Sequence, residues 1–144
     1  MTRNAAILFA LLAMSPQAYA NPMSPVGAWR TIDDSTGKPK SVVRIVERDG
    51  MLTGSVEKFL DPAAKQDKIC SECTDERKDK PILGMTIMSG LKKDGDGWNG
   101  GRILDPENGK TYRCTVNVVD DGRKLQMRGY VGIFFRTQTW ERVE

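Results

Sequence analysis

Cys70 and Cys73, separated by two residues, are the side chains whose types and spacing most directly suggest chemistry. Such a pair can work as a dithiol and disulfide redox centre, because one thiolate is held next to the other. It can equally form a small structural cross-link in an oxidising compartment. We favour the cross-link, since redox pairs of this kind usually begin a helix, whereas this pair lies in a charged segment of a β-prone chain. Thiol redox chemistry remains a weaker alternative.

The third cysteine, Cys114, leaves two pairings open. Either Cys70 bonds Cys73 and Cys114 stays a buried thiol, or one of the first two cysteines joins the segment around it to Cys114. We favour the first pairing because Cys114 alternates with apolar neighbours. Three thiolates without a histidine or a fourth cysteine would not complete a structural zinc site, so no metal is expected.

The chain contains no histidine, which excludes a histidine-based triad, a histidine-ligated metal and an imidazole switch near neutral pH. Carboxylates cluster at predicted turns, and Asp94-x-Asp96 lacks the later glutamate of a calcium loop. No nucleophile elbow or phosphate-binding glycine loop is present. We therefore expect no catalytic residues, no cofactor and no enzyme activity.

Aromatic and basic side chains could instead line a ligand cavity, although core packing is the simpler role for the aromatic ones. In the last β-prone run one face is polar and aromatic, and its direction is open. If this face points inward, it offers hydrogen-bond donors to an anionic or polar ligand head; if it points outward, it is a solvated row. The candidate ligand-binding residues are Trp29, Trp98, Tyr112, Arg136, Gln138, Trp140 and Arg142.

The elements that must position these residues are eight short β-prone runs separated by turn residues. Tyr112, Cys114, Val116 and Val118 mark one face of the clearest period-two segment. The sequence predicts an all-β fold, a small antiparallel up-and-down barrel of about eight strands. The predicted strands span residues 26–32, 41–48, 51–59, 83–91, 98–104, 111–119, 124–130 and 134–143.

Two connections stand out. Residues 60–81 form a long loop between strands three and four, and loops of this length are usually functional or flexible. The junction Val131-Gly-Ile133 is the weakest turn signal, so seven strands or one bulged strand remain possible. Elsewhere the turns are clear, as at Asp49-Gly50 between strands two and three.

Residues 1–20 read as a cleaved signal peptide, with Arg3, a short apolar stretch and small residues before a cut after Ala20. The apolar stretch is shorter than a membrane span. We expect a periplasmic or secreted protein with one domain over residues 21–144. Removing Arg3 leaves 21 of the 22 basic residues against 19 acidic ones, interspersed, which gives no support for nucleic-acid binding.

Five motifs in this chain resemble those of exported bacterial proteins grouped as domain-of-unknown-function family 2147. The resemblance covers nearly all of residues 21–144 and implies a small lipocalin-like β-barrel, but the family has no settled activity. The motifs are Lys80-Pro-Ile-Leu-Gly-Met, Gly95-Asp-Gly-Trp-Asn-Gly-Gly-Arg-Ile, Asp105-Pro-Glu-Asn-Gly-Lys-Thr-Tyr-Arg-Cys, Arg128-Gly-Tyr-Val-Gly and Arg136-Thr-Gln-Thr-Trp-Glu-Arg.

A looser likeness to lipocalins proper rests on Gly27-x-Trp29 in the first strand and a basic residue in the last. In lipocalins such a tryptophan closes one end of the barrel while an arginine packs across its face. The likeness implies Arg142 as the partner of Trp29, with Arg136 as the second choice.

These observations predict an exported β-barrel that binds a small, partly apolar molecule without catalysis. An envelope interaction or maintenance protein, acting through its outer surface or the 60–81 loop, is the alternative. The sequence identifies neither a protein partner nor an oligomeric state.

Overall fold

The computed structural model describes residues 21–143, and the predicted signal peptide lies outside them. Eight strands cover most of this part of the chain, with a short 3-10 turn, Asp120–Gly122, between the sixth and seventh. The strands are β1 Gly27–Ile32, β2 Pro39–Arg48, β3 Met51–Phe59, β4 Thr86–Asp94, β5 Gly97–Asp105, β6 Lys110–Val119, β7 Lys124–Val131 and β8 Phe134–Arg142.

Each strand pairs antiparallel with its neighbours in sequence, and β1 pairs with β8 to close the barrel. The predicted all-β barrel is therefore confirmed. Gly132 and Ile133 form a turn between β7 and β8, and Gly132 has a φ of 58° that favours glycine. The alternatives of seven strands or one continuous bulged strand are wrong.

Alternation along the strands sets the inside of the barrel. In β6 the predicted inward residues Cys114, Val116 and Val118 are buried, whereas Arg113 and Asn117 are exposed. This pattern arises because successive residues of a strand point to opposite faces of the sheet, so every second residue faces the interior.

The predicted boundaries are least accurate for β4, which begins at Thr86 rather than at residue 83. Gly84, with a φ of 82°, ends the turn that precedes β4. The backbone N–H of Gly84 donates to the carbonyl of Val56. The strand also continues through Lys92 and Lys93, which were expected in a loop. These lysines fit because charged side chains can extend from the outer end of a strand into water.

Because the barrel is an antiparallel meander, successive connections lie at opposite ends. We call the end with residues 33–38, 60–85, 106–109 and 132–133 the open end, and the end with residues 49–50, 95–96 and 120–123 the closed end. The N-terminal segment 21–26 leads into β1 at the closed end.

The seam between β1 and β8 is short. In the described chain these strands pair only through Trp29–Arg142 and Arg30–Glu141, near the closed end. Toward the open end, β8 is therefore held mainly by β7, with which it pairs from Glu141 to Phe134. Within residues 21–143, the structure has no helix long and apolar enough to cross a membrane.

Candidate functional site

A cavity of about 600 Å³ occupies the half of the barrel next to the open end. Its floor and walls are apolar because the inward positions of most strands carry aliphatic or aromatic side chains. Trp140 lines the floor and is 2% exposed. The apolar lining residues include Val43, Val56, Phe59, Ile82, Ile87, Ile103, Leu104, Met127 and Trp140.

The rim of this cavity is charged. Lys40 pairs with Glu107 at 2.8 Å, and Arg136 lies 3.6 Å from Asp34. These pairs are partly exposed, so each stabilises the fold only weakly. The charged residues that line the rim are Asp33, Asp34, Lys40, Lys68, Asp105, Glu107 and Arg136.

A chain of hydrogen bonds links the floor to the rim. The indole Nε1 of Trp140 donates to Oε1 of Gln138 at 3.1 Å, and Nε2 of Gln138 donates to Oδ2 of Asp34 at 2.9 Å. The second contact also spans the seam between β8 and the turn that follows β1. Gln138 keeps one N–H and one lone pair for a bound molecule, since an amide has two donors and two acceptor positions.

Asp33 remains ionised over a wide pH range. Its carboxylate accepts hydrogen bonds from the Ser35 hydroxyl and from the backbone N–H groups of Thr36 and Ser35, which lower its pKa to about 2. This keeps a fixed negative charge beside the Asp34 carboxylate at the rim.

Arg142 and Trp29 seal the closed end. The Cζ atom of Arg142 lies 4.2 Å from the centroid of the Trp29 ring, and the indole of Trp29 donates to the carbonyl of Pro25 at 2.8 Å. The Arg142 guanidinium also donates to backbone carbonyls of the N-terminal segment, including that of Ser24 at 2.6 Å. The contact between Arg142 and Trp29 that the lipocalin likeness implied is therefore confirmed.

A family model described as "Uncharacterized protein conserved in bacteria (DUF2147)" matches residues 27–142. The chain belongs to this family. A comparison with curated proteins gave no significant match. Among solved structures, the chain is similar to protein HP1028 from Helicobacter pylori, which belongs to the lipocalin family. The two are 22% identical, with 85% of this chain and 84% of that chain covered and a TM-score of 0.74. At this identity the likeness shows the fold alone.

In this DUF2147 barrel, four of the seven candidate ligand-binding residues line the cavity. Tyr112, Arg136, Gln138 and Trp140 do so, which means that the polar and aromatic face of β8 points inward. The hydroxyl of Tyr112 accepts a hydrogen bond from the side chain of Asn108 at 3.1 Å.

The other three candidates lie away from the cavity. Trp29 and Arg142 belong to the closed end, as described above. Trp98 is buried at the start of β5, also toward the closed end, with Nζ of Lys93 5.6 Å from its ring centroid. The structure thus assigns these three side chains to packing.

Sequence reasoning missed two kinds of cavity residue. It did not include Asp33 and Asp34 among the candidates, although the turn after β1 places them at the rim. It also passed over Met127 and Gly129 in β7, whose period-two alternation would have placed them on one face. Gly129 matters because its missing side chain leaves space: an added Cβ would meet only Tyr112, at 4.0 Å.

The cysteine pairing is the favoured one. Cys70 and Cys73 form a disulfide with Cα atoms 5.5 Å apart, and both residues are buried. Cys114 is a free thiol in the core, where burial raises its pKa to about 12. No group of three or more His, Cys, Asp or Glu side chains in residues 21–143 is arranged to hold a metal ion.

Proposed function

We propose that this DUF2147 protein binds a small, partly apolar molecule in the barrel and does no chemistry on it. The observation that carries the proposal is the cavity of about 600 Å³ with an apolar floor and a charged rim. Cavities of roughly 300–1,000 Å³ are typical of sites for small organic ligands. The lipocalin-like fold supports the same function.

The polarity of the cavity indicates how the ligand would lie. An apolar body would fill the space above Trp140 and next to Met127, where burial of apolar surface gives most of the affinity. A polar or anionic head would remain at the rim, within reach of the amide of Gln138 and the guanidinium of Arg136. This arrangement leaves the rim charges hydrated and avoids burying an unpaired charge.

Export is the second part of the proposal. The leader-like residues 1–20 support a periplasmic or secreted location, and a disulfide between Cys70 and Cys73 fits an oxidising compartment. We propose that the mature protein begins at Asn21.

The direct test is to fill the cavity. Gly129→Leu adds a side chain into the open space beside Tyr112, whereas Thr139→Leu adds the same side chain on the outer face of β8. Titration with dansylaminoundecanoic acid, a fluorescent fatty-acid probe, should show affinity for the unmodified protein and for Thr139→Leu, and a fall of about ten-fold or more for Gly129→Leu.

Native mass spectrometry of the protein purified from its own cells provides a second measurement. Added mass that is lost on unfolding, and reduced in Gly129→Leu, would identify the physiological ligand. Equal probe affinity for all three proteins would argue that binding takes place outside the barrel.

A further inference from the structure

The turn between β7 and β8 carries an exposed apolar tip at the open end. Ile133 is 91% exposed and Phe134 is 74% exposed, and the neighbouring Val131 and Phe135 are also exposed. We call these four residues the hairpin tip. Other exposed apolar side chains in the described chain are scattered along its sequence, as is usual for a soluble surface. A contiguous patch of this kind marks an interaction site.

The hairpin tip also belongs to the cavity mouth. Val131, Phe134 and Phe135 contribute to its lining. Because β1 pairs with β8 only near the closed end, the tip stands on the side of the barrel where the seam is open. Whatever covers the tip would therefore lie directly beside the opening of the cavity.

The outer wall of the barrel at the hairpin tip combines aromatic rings, including that of Phe135, with arginines. Phe135 and Tyr130 have ring centroids 6.1 Å apart. The Cζ of Arg128 lies 4.2 Å from the Phe135 centroid, and that of Arg113 lies 5.6 Å from the Tyr130 centroid. Rings flanked by basic side chains are the composition that proteins use at the boundary between lipid headgroups and acyl chains.

The outer wall beside the hairpin tip is basic, whereas the acidic rim residues Asp33, Asp34, Asp105 and Glu107 belong to other turns of the open end. Residues 125–140 include Arg128 and Arg136 and no acidic residue. Arg136 has Asp34 as a nearby counter-charge at 3.6 Å, so the guanidinium groups of Arg113 and Arg128 on the outer wall matter most. In a pair of copies joined tip to tip, these like charges would approach each other, which disfavours a second copy as the occupant.

We propose that the hairpin tip docks on the surface of an anionic lipid bilayer, with Ile133 and Phe134 entering the boundary of the acyl chains and Arg113 and Arg128 meeting the headgroups. A two-residue turn is narrow and convex, so it can enter fluid lipid without needing a matching groove. Docking through the hairpin tip and the outer wall would leave the mouth of the cavity beside the membrane surface. The docking proposal does not depend on the proposed ligand binding.

The experiment is sedimentation of the purified protein with vesicles of phosphatidylglycerol and phosphatidylethanolamine, compared with vesicles of phosphatidylcholine alone. We expect binding to the anionic vesicles that weakens in high salt. Ile133→Asp and Phe134→Asp should each lower the partition coefficient by about ten-fold or more. Arg128→Gln should lower binding to anionic vesicles by about five-fold.

Met51→Asp is the matched control, because Met51 is an exposed apolar residue beside the turn at the closed end. It should leave vesicle binding unchanged. Thermal unfolding and probe affinity are measured for each variant, so that loss of the fold is not mistaken for loss of docking.

Three results would overturn the proposal. They are absence of binding to anionic vesicles, equal losses for Met51→Asp and Ile133→Asp, and conversion of a dimer to a monomer by Ile133→Asp without any vesicle binding. The last result would assign the hairpin tip to an interface between copies. Retained probe affinity alongside absent vesicle binding would reject docking while leaving the proposed function intact.

Discussion

The backbone of Gly109 lies so close to the carbonyl group of Glu72 that no side chain fits between them. Gly109 belongs to the turn between β5 and β6, and Glu72 lies inside the loop closed by Cys70 and Cys73. This contact fixes the disulfide loop against the open end of the barrel. Gly109 also has a φ of 71°, which disfavours other residues.

Gly109→Ala should destabilise the protein well beyond the cost of the backbone conformation alone. Gly95→Ala is the matched control, because Gly95 has a similar φ of 59° and nothing within 4 Å of an added Cβ. Each substitution should lower the free energy of unfolding by about 1–2 kcal/mol, because alanine disfavours the left-handed conformation. Gly109→Ala should cost about 1–3 kcal/mol more through overpacking. Equal free energies of unfolding in urea would contradict the contact.

Arg142→Ala should lower the free energy of unfolding by about 2–4 kcal/mol. The substitution removes donors from partly buried backbone carbonyls and uncovers the ring of Trp29. Arg123→Ala is the control, because Arg123 is an exposed arginine paired with Asp120 at 2.7 Å and should cost less than about 1 kcal/mol. Urea unfolding of both variants measures the difference, and similar costs would show that Arg142 does not seal the closed end.

Cys114 should make the protein less stable at alkaline pH. Burial raises its pKa from the ordinary value of 9.0 to about 12 in the folded protein, so between these two values the folded thiol stays neutral while the thiol of the unfolded chain ionises. The unfolded state then holds fewer protons, and the free energy of unfolding falls by about 1.4 kcal/mol per pH unit between these two values. Below about pH 9 the thiol is neutral in both states and does not make the free energy of unfolding depend on pH.

Comparison with Cys114→Ala isolates this effect from lysine and tyrosine titration. The free energy of unfolding of the unmodified protein minus that of Cys114→Ala, measured at several pH values above about 9, should fall by about 1.4 kcal/mol per pH unit. In the native protein the thiol should also resist alkylation at neutral pH and react only after unfolding. Rapid alkylation of native Cys114 would contradict its burial.

The Cys70–Cys73 disulfide should behave as a cross-link and not as a redox centre. Both residues are buried, so an external thiolate has poor access to the sulfur atoms. Incubation of the native protein with reduced glutathione, followed by alkylation and mass spectrometry, should recover the disulfide intact. Fast exchange would instead support the thiol redox alternative. The double substitution Cys70→Ser and Cys73→Ser should cost about 2 kcal/mol, as expected for so short a loop.

Gln138→Leu should weaken binding of ligands with a polar head. It removes the amide at the rim and leaves the indole N–H of Trp140 without its acceptor. Gln126→Leu is the matched control, because Gln126 lies on the exposed outer face of β7. Probe affinity should fall about ten-fold for the first variant and stay unchanged for the second. Equal affinities would place the ligand head elsewhere.

Much of the fold could be predicted from local sequence patterns. Period-two alternation in β6 and turn residues such as Asp49-Gly50 are local properties, so the number and order of strands followed from them. The same alternation favoured the pairing of Cys70 with Cys73, because it placed Cys114 among apolar residues of β6. The predicted start of β4 was wrong because a contact distant in sequence, between Gly84 and Val56, holds the preceding residues in a turn.

The composition of the cavity was decided only by the tertiary structure. Alternation predicts that Trp98 and Trp140 share the inward-facing pattern, but it carries no information about depth along the barrel. Depth depends on the register between strands, which places Trp98 opposite Val116 toward the closed end and Gln138 opposite Met127 in the open half. Closure of β8 onto β1 then brings Gln138 within 2.9 Å of Asp34, which is 104 residues away in the chain.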